Sequence, residues 1–504
     1  MLAKALSYGL NGLIGFPVEV EADYTEGLES YDTVGLPDTA VKESKERVRS
    51  AMKNSGYPFP VGRVIVSLAP ADVKKEGSVY DLPIALALGC AFGYFKKEML
   101  PERSVFLGEL ALDGTVRPVN GILPMVIDGR AKGYTEFYVP AENGEEAAVV
   151  EGAHIYPVHS LKEVLDALTK KAEITPLPLT RFTAADLRYS SDIGDVRGQA
   201  AAKRAAEIAV AGGHNLLLFG TPGSGKTMLA RTIPTILPEL TKEEALEISK
   251  IHSVAGHRGL VTERPFRSPH HGASTAALVG GGSKALPGEI SMAHLGVLFL
   301  DEFPEFRREV LESLRQPLED GQVTVSRAYG TFTYPASFIL VAAMNPCPCG
   351  NRGSRVKQCT CTPLQVQKYM QKISGPLLDR IDIRVEMNEI PLTDLAAKRR
   401  EETSAEVRAR VNAARQIQRE RFKEEGILCN AEMNVRQLDK CCALDKDCAA
   451  VMEKAYEKYN LSARGYQRIR KVARTIADLA GSPNITAAHL AEALRYRGTS
   501  VIED

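Results

Sequence analysis

The sequence predicts a multidomain α/β protein: an N-terminal α/β unit, an α/β nucleotide-binding core built on a parallel sheet, and a C-terminal helical unit. Three observations carry this expectation. Strand-like apolar runs alternate with helical stretches as far as about Pro391. The chain beyond is helical and charged. A glycine-rich loop, GTPGSGKT at Gly220–Thr227, stands between a strand signal and a helix signal. At 504 residues the chain is too long for one hydrophobic core.

In chain order, Asp38–Ser55 carries a helix of alternating charge, while Val64–Pro70 and Ser104–Leu112 are β-rich. The longest apolar run, Leu82–Phe95, falls short of the roughly 20 residues a bilayer requires and predicts a buried helix. A proline-containing stretch after Thr175 marks a linker. The second unit opens with a helix, Gln199–Ala211, and the strand Leu216–Gly220. Helices at Leu395–Glu425, Ala449–Tyr459, Gly465–Ala480 and Ala487–Tyr496 make the third. The expected boundaries are 1–175, a linker at 176–195, a core at 196–391 and a helical lid at 392–504.

Composition is that of a globular protein, 44% hydrophobic and 25% charged, with no tryptophan. No secretory leader is expected at the N-terminus. Nine unevenly placed cysteines argue against a disulfide framework and for a cytoplasmic chain with mostly reduced thiols. Net charge is zero, yet residues 1–180 hold 18 Lys/Arg against 25 Asp/Glu and the remainder 45 against 38. A polyanion partner is therefore expected on the later part of the chain.

The phosphate loop explains the chemistry of its own residues. Gly220, Thr221, Pro222, Gly223, Ser224 and Gly225 allow backbone N–H groups to turn around phosphates, Lys226 supplies a point charge, and Thr227 can ligate Mg²⁺. About 75 residues on, GVLFLDE is an apolar strand ending in Asp301, a candidate for the Mg²⁺ shell, and Glu302, a candidate base for the attacking water. A third strand, FILVAAMN, ends in Asn345, an amide placed to sense the γ-phosphate.

GTPGSGKT, VLFLDE, AAMNPCPCG, SGPLLDRID and SARGYQRIRKVARTIADL together resemble the magnesium-chelatase branch of the AAA+ superfamily, and more closely the bacterial YifB/ComM family. The resemblance implies an ATP- and Mg²⁺-dependent homo-hexamer in which Arg380 is an arginine finger serving the neighbouring subunit. It also implies that Arg464 is the lid arginine, with Arg468 one turn further as the alternative. KEGSVYDLPIALAL and FLGELALDGTVRPVNGILP resemble the Lon-protease-like fold, with Val79 and Leu123 standing at the catalytic serine and lysine positions. A non-proteolytic docking or DNA-engaging module is expected. In this branch the insert at Pro265–Gly296 faces the ring's pore, which makes His270, His271 and Lys284 candidate substrate contacts.

Motors that the chain resembles carry a DNA-contacting hairpin just before the strand that ends in the sensing amide, which makes Arg327, near the tip of a hairpin expected from Gln322–Arg327 and Thr331–Ser337, another DNA-contact candidate. Asn351–Arg384 holds seven Lys/Arg against two acids, and Arg464–Arg474 five against none, as backbone-phosphate tracking requires. Cys347, Cys349, Cys359 and Cys361 follow C-x-C-x₉-C-x-C, which suits a structural Zn²⁺; free thiols and disulfides are the alternatives. A metal staple there would tie Asn345 to a basic loop carrying Arg352, Arg355 and Lys357. The resemblance implies a DNA motor for branch migration in recombination and natural transformation, with a chelatase-like motor that remodels a protein and a non-enzymatic nucleotide switch as the alternatives. The presence of Glu302 and Arg380 disfavours the last.

Overall fold

The structure is a computed structural model that describes residues 2–182, 191–282, 285–327, 330–354, 356–390, 400–459 and 461–497. The chain forms two compact units. The first comprises the residues up to 183 together with Lys242–Thr262; the second holds the rest, core and lid together. The fold class is mixed α/β, as the sequence predicts.

In the first unit, β1 (Leu2–Asn11), β2 (Ile14–Glu26), β3 (Ser30–Val34) and β4 (Gly62–Ala69) form a sheet in the order β1-β2-β4-β3. Alternation in β4 turns Val64, Val66 and Leu68 into the core. The helix Asp81–Ala91 is buried along its whole length, which is why its sequence shows no polar face. A second, parallel sheet joins β5 (Ser104–Phe106), β6 (Glu136–Pro140) and β7 (His154–Val158). The run expected as one strand over Ser104–Leu112 is two strands in different sheets, broken at Gly108. Gly108 has φ +156°, and a Cβ there would stand 2.7 Å from Val116 Cγ1.

The segment Lys242–Thr262, expected from sequence within the core unit, packs in the first unit instead. Leu246 and Leu260 lie on its hydrophobic core, and the Ser253 carbonyl accepts from Gly121 N–H at 3.0 Å, at the start of the helix Ile122–Ala131. Lys242–Val254 is a helix, and no local pattern shows which core its apolar face meets.

The second unit is built on five parallel strands, β8 (Leu216–Gly220), β9 (Phe266–Arg267), β10 (Val297–Leu300), β13 (Ile339–Met344) and β14 (Ile383–Met387), in the order β9-β10-β13-β8-β14. An antiparallel hairpin, β11 (Gln322–Arg327) with β12 (Gly330–Pro335), precedes β13. Strands β8, β10 and β13 are buried throughout, consistent with their unbroken apolar sequences. The helices Ser404–Arg421, Val435–Cys441, Lys446–Lys458, Ala463–Leu479 and Ala487–Arg495 share one core with this sheet. Among the described residues, no helix is long and apolar enough to cross a membrane.

The basic run Arg464–Arg474, expected to supply phosphate contacts, is instead bonded within the unit. Arg468 pairs with Asp382 at 2.9 Å, Arg470 with Asp439 at 3.1 Å, and Lys471 donates to the Ala431 carbonyl at 2.8 Å. Arg474 and Arg421 both grip buried Asp478, which also accepts from Asn430 at 2.8 Å. Asp478→Ala removes the carboxylate that neutralises two largely buried guanidinium groups and should cost about 3–5 kcal/mol of stability in a denaturant titration.

Candidate nucleotide site

Because β10, β13 and β8 are parallel neighbours, their carboxyl ends meet at one edge of the sheet, where Asp301, Asn345 and the phosphate loop follow them. The loop leaves β8 at Gly220 and enters the helix Lys226–Thr232 through Gly225, whose φ of +91° places it in the left-handed region. Lys226 is buried. Its Nζ donates to the Gly220 carbonyl at 2.7 Å, the Thr221 carbonyl at 2.9 Å and Asn345 Oδ1 at 3.2 Å. Burial pushes its ammonium down to about 8, against the opposing pull of Asp301. Thr227 Oγ1 donates to Asp301 Oδ2 at 2.8 Å. Lysine, threonine, aspartate and sensor amide thus form one connected constellation.

These residues fit a magnesium–triphosphate group. Among the described residues, nothing lies within 4 Å of where a Cβ on Gly223 would stand, and the buried hydroxyls of Thr221 and Ser224 have no hydrogen-bond partner. A nearby residue that sequence reasoning missed is Gln199, whose Nε2 donates to the Ser224 carbonyl at 3.1 Å and to the Asn388 carbonyl at 2.6 Å. It lies 21 residues before the loop with no motif to mark it.

Glu302 follows Asp301 in the left-handed region at φ +51° and is exposed. His271 Nδ1 lies 3.2 Å from Glu302 Oε2, and its ring meets Phe306 edge-on. His271, a sequence candidate for substrate contact, therefore lies against the candidate base, while His270 lies beside it with ring centroids 4.1 Å apart and planes tilted by 34°. His271→Ala is expected to lower kcat several-fold at unchanged KM for ATP, because it frees the Glu302 carboxylate without touching a phosphate contact; steady-state kinetics check this.

The structure does not bring Arg380 or Arg464 onto the phosphate loop. It joins both to Glu319: Arg380 by a short ion pair, Arg464 at 3.1 Å. Arg380, then Arg464 and Arg468, hold the Glu319 carboxyl below its ordinary value. Arg380 is buried and also donates to the Pro376 carbonyl at 2.8 Å. Arg468 is occupied by Asp382, whose carboxyl is held far below its usual range by Arg468 and His214 despite burial.

All nine cysteines are free thiols. Among the described residues, Cys347, Cys349, Cys359 and Cys361 form a metal-ligand group, with every Sγ within 4.8 Å of the others. Arg352 is half-buried and its backbone N–H points at Cys347 Sγ; Lys357 is exposed. Lys284 and Arg355 lie outside the described residues, as does the side chain of Arg327.

In the first unit, Val79 and Leu123 are buried. The serine and lysine nearby in sequence, Ser78 and Lys75, do not pair with each other: Ser78 Oγ donates to Glu109, and Lys75 Nζ to the Val73 carbonyl at 2.7 Å.

Three family domains match in order along the chain. The family described as subunit ChlI of Mg-chelatase covers residues 20–143, magnesium chelatase, subunit ChlI, covers 192–395, and its C-terminal family covers 401–497. An uncharacterized protein of Mycobacterium tuberculosis is 43% identical over 505 residues, covering 99% of both chains. Competence protein ComM of Haemophilus influenzae is 42% identical over 488 residues, 95% of this chain and 94% of its own. YifB of Escherichia coli is 43% identical over 486 residues, with the same coverage. Identity at this level along nearly the whole length, on top of a phosphate loop joined to its sensor and acidic strands, means that the chain belongs to the YifB/ComM family of magnesium-chelatase-like AAA+ proteins.

Proposed function

We propose that this protein is an ATP-hydrolysing ring motor, a homo-hexamer that moves DNA and drives branch migration of recombination intermediates, as in natural transformation. The observation that carries the ATPase reading is the bonded set Lys226, Asn345, Thr227 and Asp301 at three adjacent strand ends. Bound magnesium–ATP supplies the phosphoanhydride that is cleaved. Lys226 places its charge on the β/γ-phosphates, Thr227 and Asp301 hold the metal shell, and Glu302 orients and deprotonates water. Asn345 senses the γ-phosphate, Arg464 answers from the lid, and Arg380 reaches the pocket of the next subunit.

The DNA reading is supported by likeness to a competence protein over 95% of the chain. Arg352, Arg355 and Lys357 on the cysteine loop, Arg327 on the hairpin, and His270, His271 and Lys284 on the insert are the candidate DNA contacts. The four cysteines take a structural zinc ion, and the first unit serves as a non-proteolytic docking module.

A second reading, a motor that remodels a protein, is favoured by the magnesium-chelatase descriptions of all three matching families. ATPase rates with and without forked or four-way DNA separate the two. Stimulation that weakens steeply with added salt is expected for the DNA motor, because phosphate contacts release counterions. A rate indifferent to DNA favours the second reading.

A further inference from the structure

The cysteine loop touches the phosphate loop as well as the sensor. Gly350, between the second cysteine and the basic stretch, has φ +78°. A Cβ built on it would stand 2.6 Å and 2.8 Å from Cγ and Cδ of Pro222, and 3.9 Å from Cγ of Asn345. No side chain tolerates such an approach, so the backbone at Gly350 lies flush against Pro222 in the middle of GTPGSGKT. Asn345 itself is held from three directions. β13 ends one residue before it, buried Cys347 follows two residues later, and the Tyr369 hydroxyl meets its backbone amide.

The sulfurs are spaced for one ion. Cys347 and Cys349 Sγ are 3.4 Å apart, and Cys359 Sγ lies 3.7 Å from each. A tetrahedral ion with bonds of about 2.3 Å sets its sulfurs about 3.8 Å apart. Backbone N–H groups of Cys349 and Arg352 point at Cys361 Sγ and Cys347 Sγ, each at 3.4 Å, where they offset thiolate charge. None of the described residues from 351 to 361 is buried, so the loop has little core of its own to fix its shape.

Resting on the zinc reading above, we infer that the zinc-bound knuckle Cys347–Cys361 is a wall of the nucleotide site, pressing Gly350 on Pro222, so that metal occupancy sets nucleotide affinity. The metal does no chemistry on the phosphates. It fixes the loop that keeps Pro222 and Asn345 in place, as supporting contacts do for any preorganised site.

The test uses the full chain. Zinc per chain is measured by elemental analysis. Binding of Mg·ADP is measured by calorimetry before and after stripping with a zinc-selective chelator, after zinc is restored, and in Gly350→Ala. The expected result is one zinc per chain, ADP binding weakened roughly tenfold or more by stripping and by Gly350→Ala, and recovery on adding zinc. Absence of zinc from freshly purified protein sinks the metal reading and this inference with it. One zinc per chain, with ADP bound equally by native, stripped and Gly350→Ala protein, leaves the metal reading standing and overturns the inference. Should stripping unfold the chain, zinc-loaded Gly350→Ala decides alone.

Discussion

Arg380→Ala is expected to lower ATP turnover of the assembled protein by about 10³–10⁵-fold, the range over which a guanidinium placed on the transferring phosphoryl group acts. Within its own subunit Arg380 is bound to Glu319 and the Pro376 carbonyl, with no contact to the phosphate loop. In the proposed ring, its catalytic work is done on a neighbour's nucleotide. The trans arrangement makes a second expectation that a purely structural arginine does not share. Mixing Arg380→Ala with Lys226→Ala subunits should restore part of the activity. A Lys226→Ala neighbour brings an intact finger to the intact pocket of an Arg380→Ala subunit. Coupled ATPase assays on the separate and mixed proteins check both. Full turnover by Arg380→Ala, or by a protein that remains a single subunit with nucleotide present, removes the ring motor. Loss of turnover with a lowered melting temperature and no recovery on mixing assigns Arg380 to holding Glu319.

Glu302→Gln is expected to lower kcat by about 10²–10⁴-fold while nucleotide binding survives. The amide keeps the shape of the carboxylate but cannot take the proton of the attacking water. The groups placed to hold phosphate and metal keep their bonds without its side chain, Lys226 to Asn345 and Thr227 to Asp301. Single-turnover hydrolysis together with calorimetric ATP binding separates the two effects. A matching loss of affinity would move Glu302 from base to binding group. The residue is suited to a role that changes during the cycle, since it is exposed, sits in the left-handed region and has His271 as a side-chain partner.

The candidate nucleotide site was largely legible because its motifs are local. A phosphate loop needs glycines and a lysine at set spacing. Apolar strands that end in an acid pair or an amide announce themselves wherever they fall. The C-terminal helices were legible through periodicity, but the expected helix Leu395–Glu425 starts only at Ser404, where Thr403 and Glu406 cap it reciprocally, and ends at Arg421. Charge counts were a poorer guide. Five cations in Arg464–Arg474 suggested a nucleic-acid surface, yet the described bonds tie them to Glu319, Asp382, Asp439, Asp478 and backbone carbonyls. Composition records how many cations a segment has, whereas their availability depends on acids brought from elsewhere in the chain.

By itself, then, the sequence determined the fold class, the strands and helices that matter, the phosphate-loop, magnesium and sensor candidates, and the thiol set suited to one ion. Only the tertiary structure decided that Lys242–Thr262 belongs to the first unit, that Glu319 collects Arg380 and Arg464, that His271 meets Glu302, and that Gly350 lies on Pro222. The division has one physical cause. Spacing along a strand, turn or helix fixes which groups share a face within a few residues of one another. Contacts between residues dozens or hundreds of positions apart depend on how whole elements pack, and no local pattern records that.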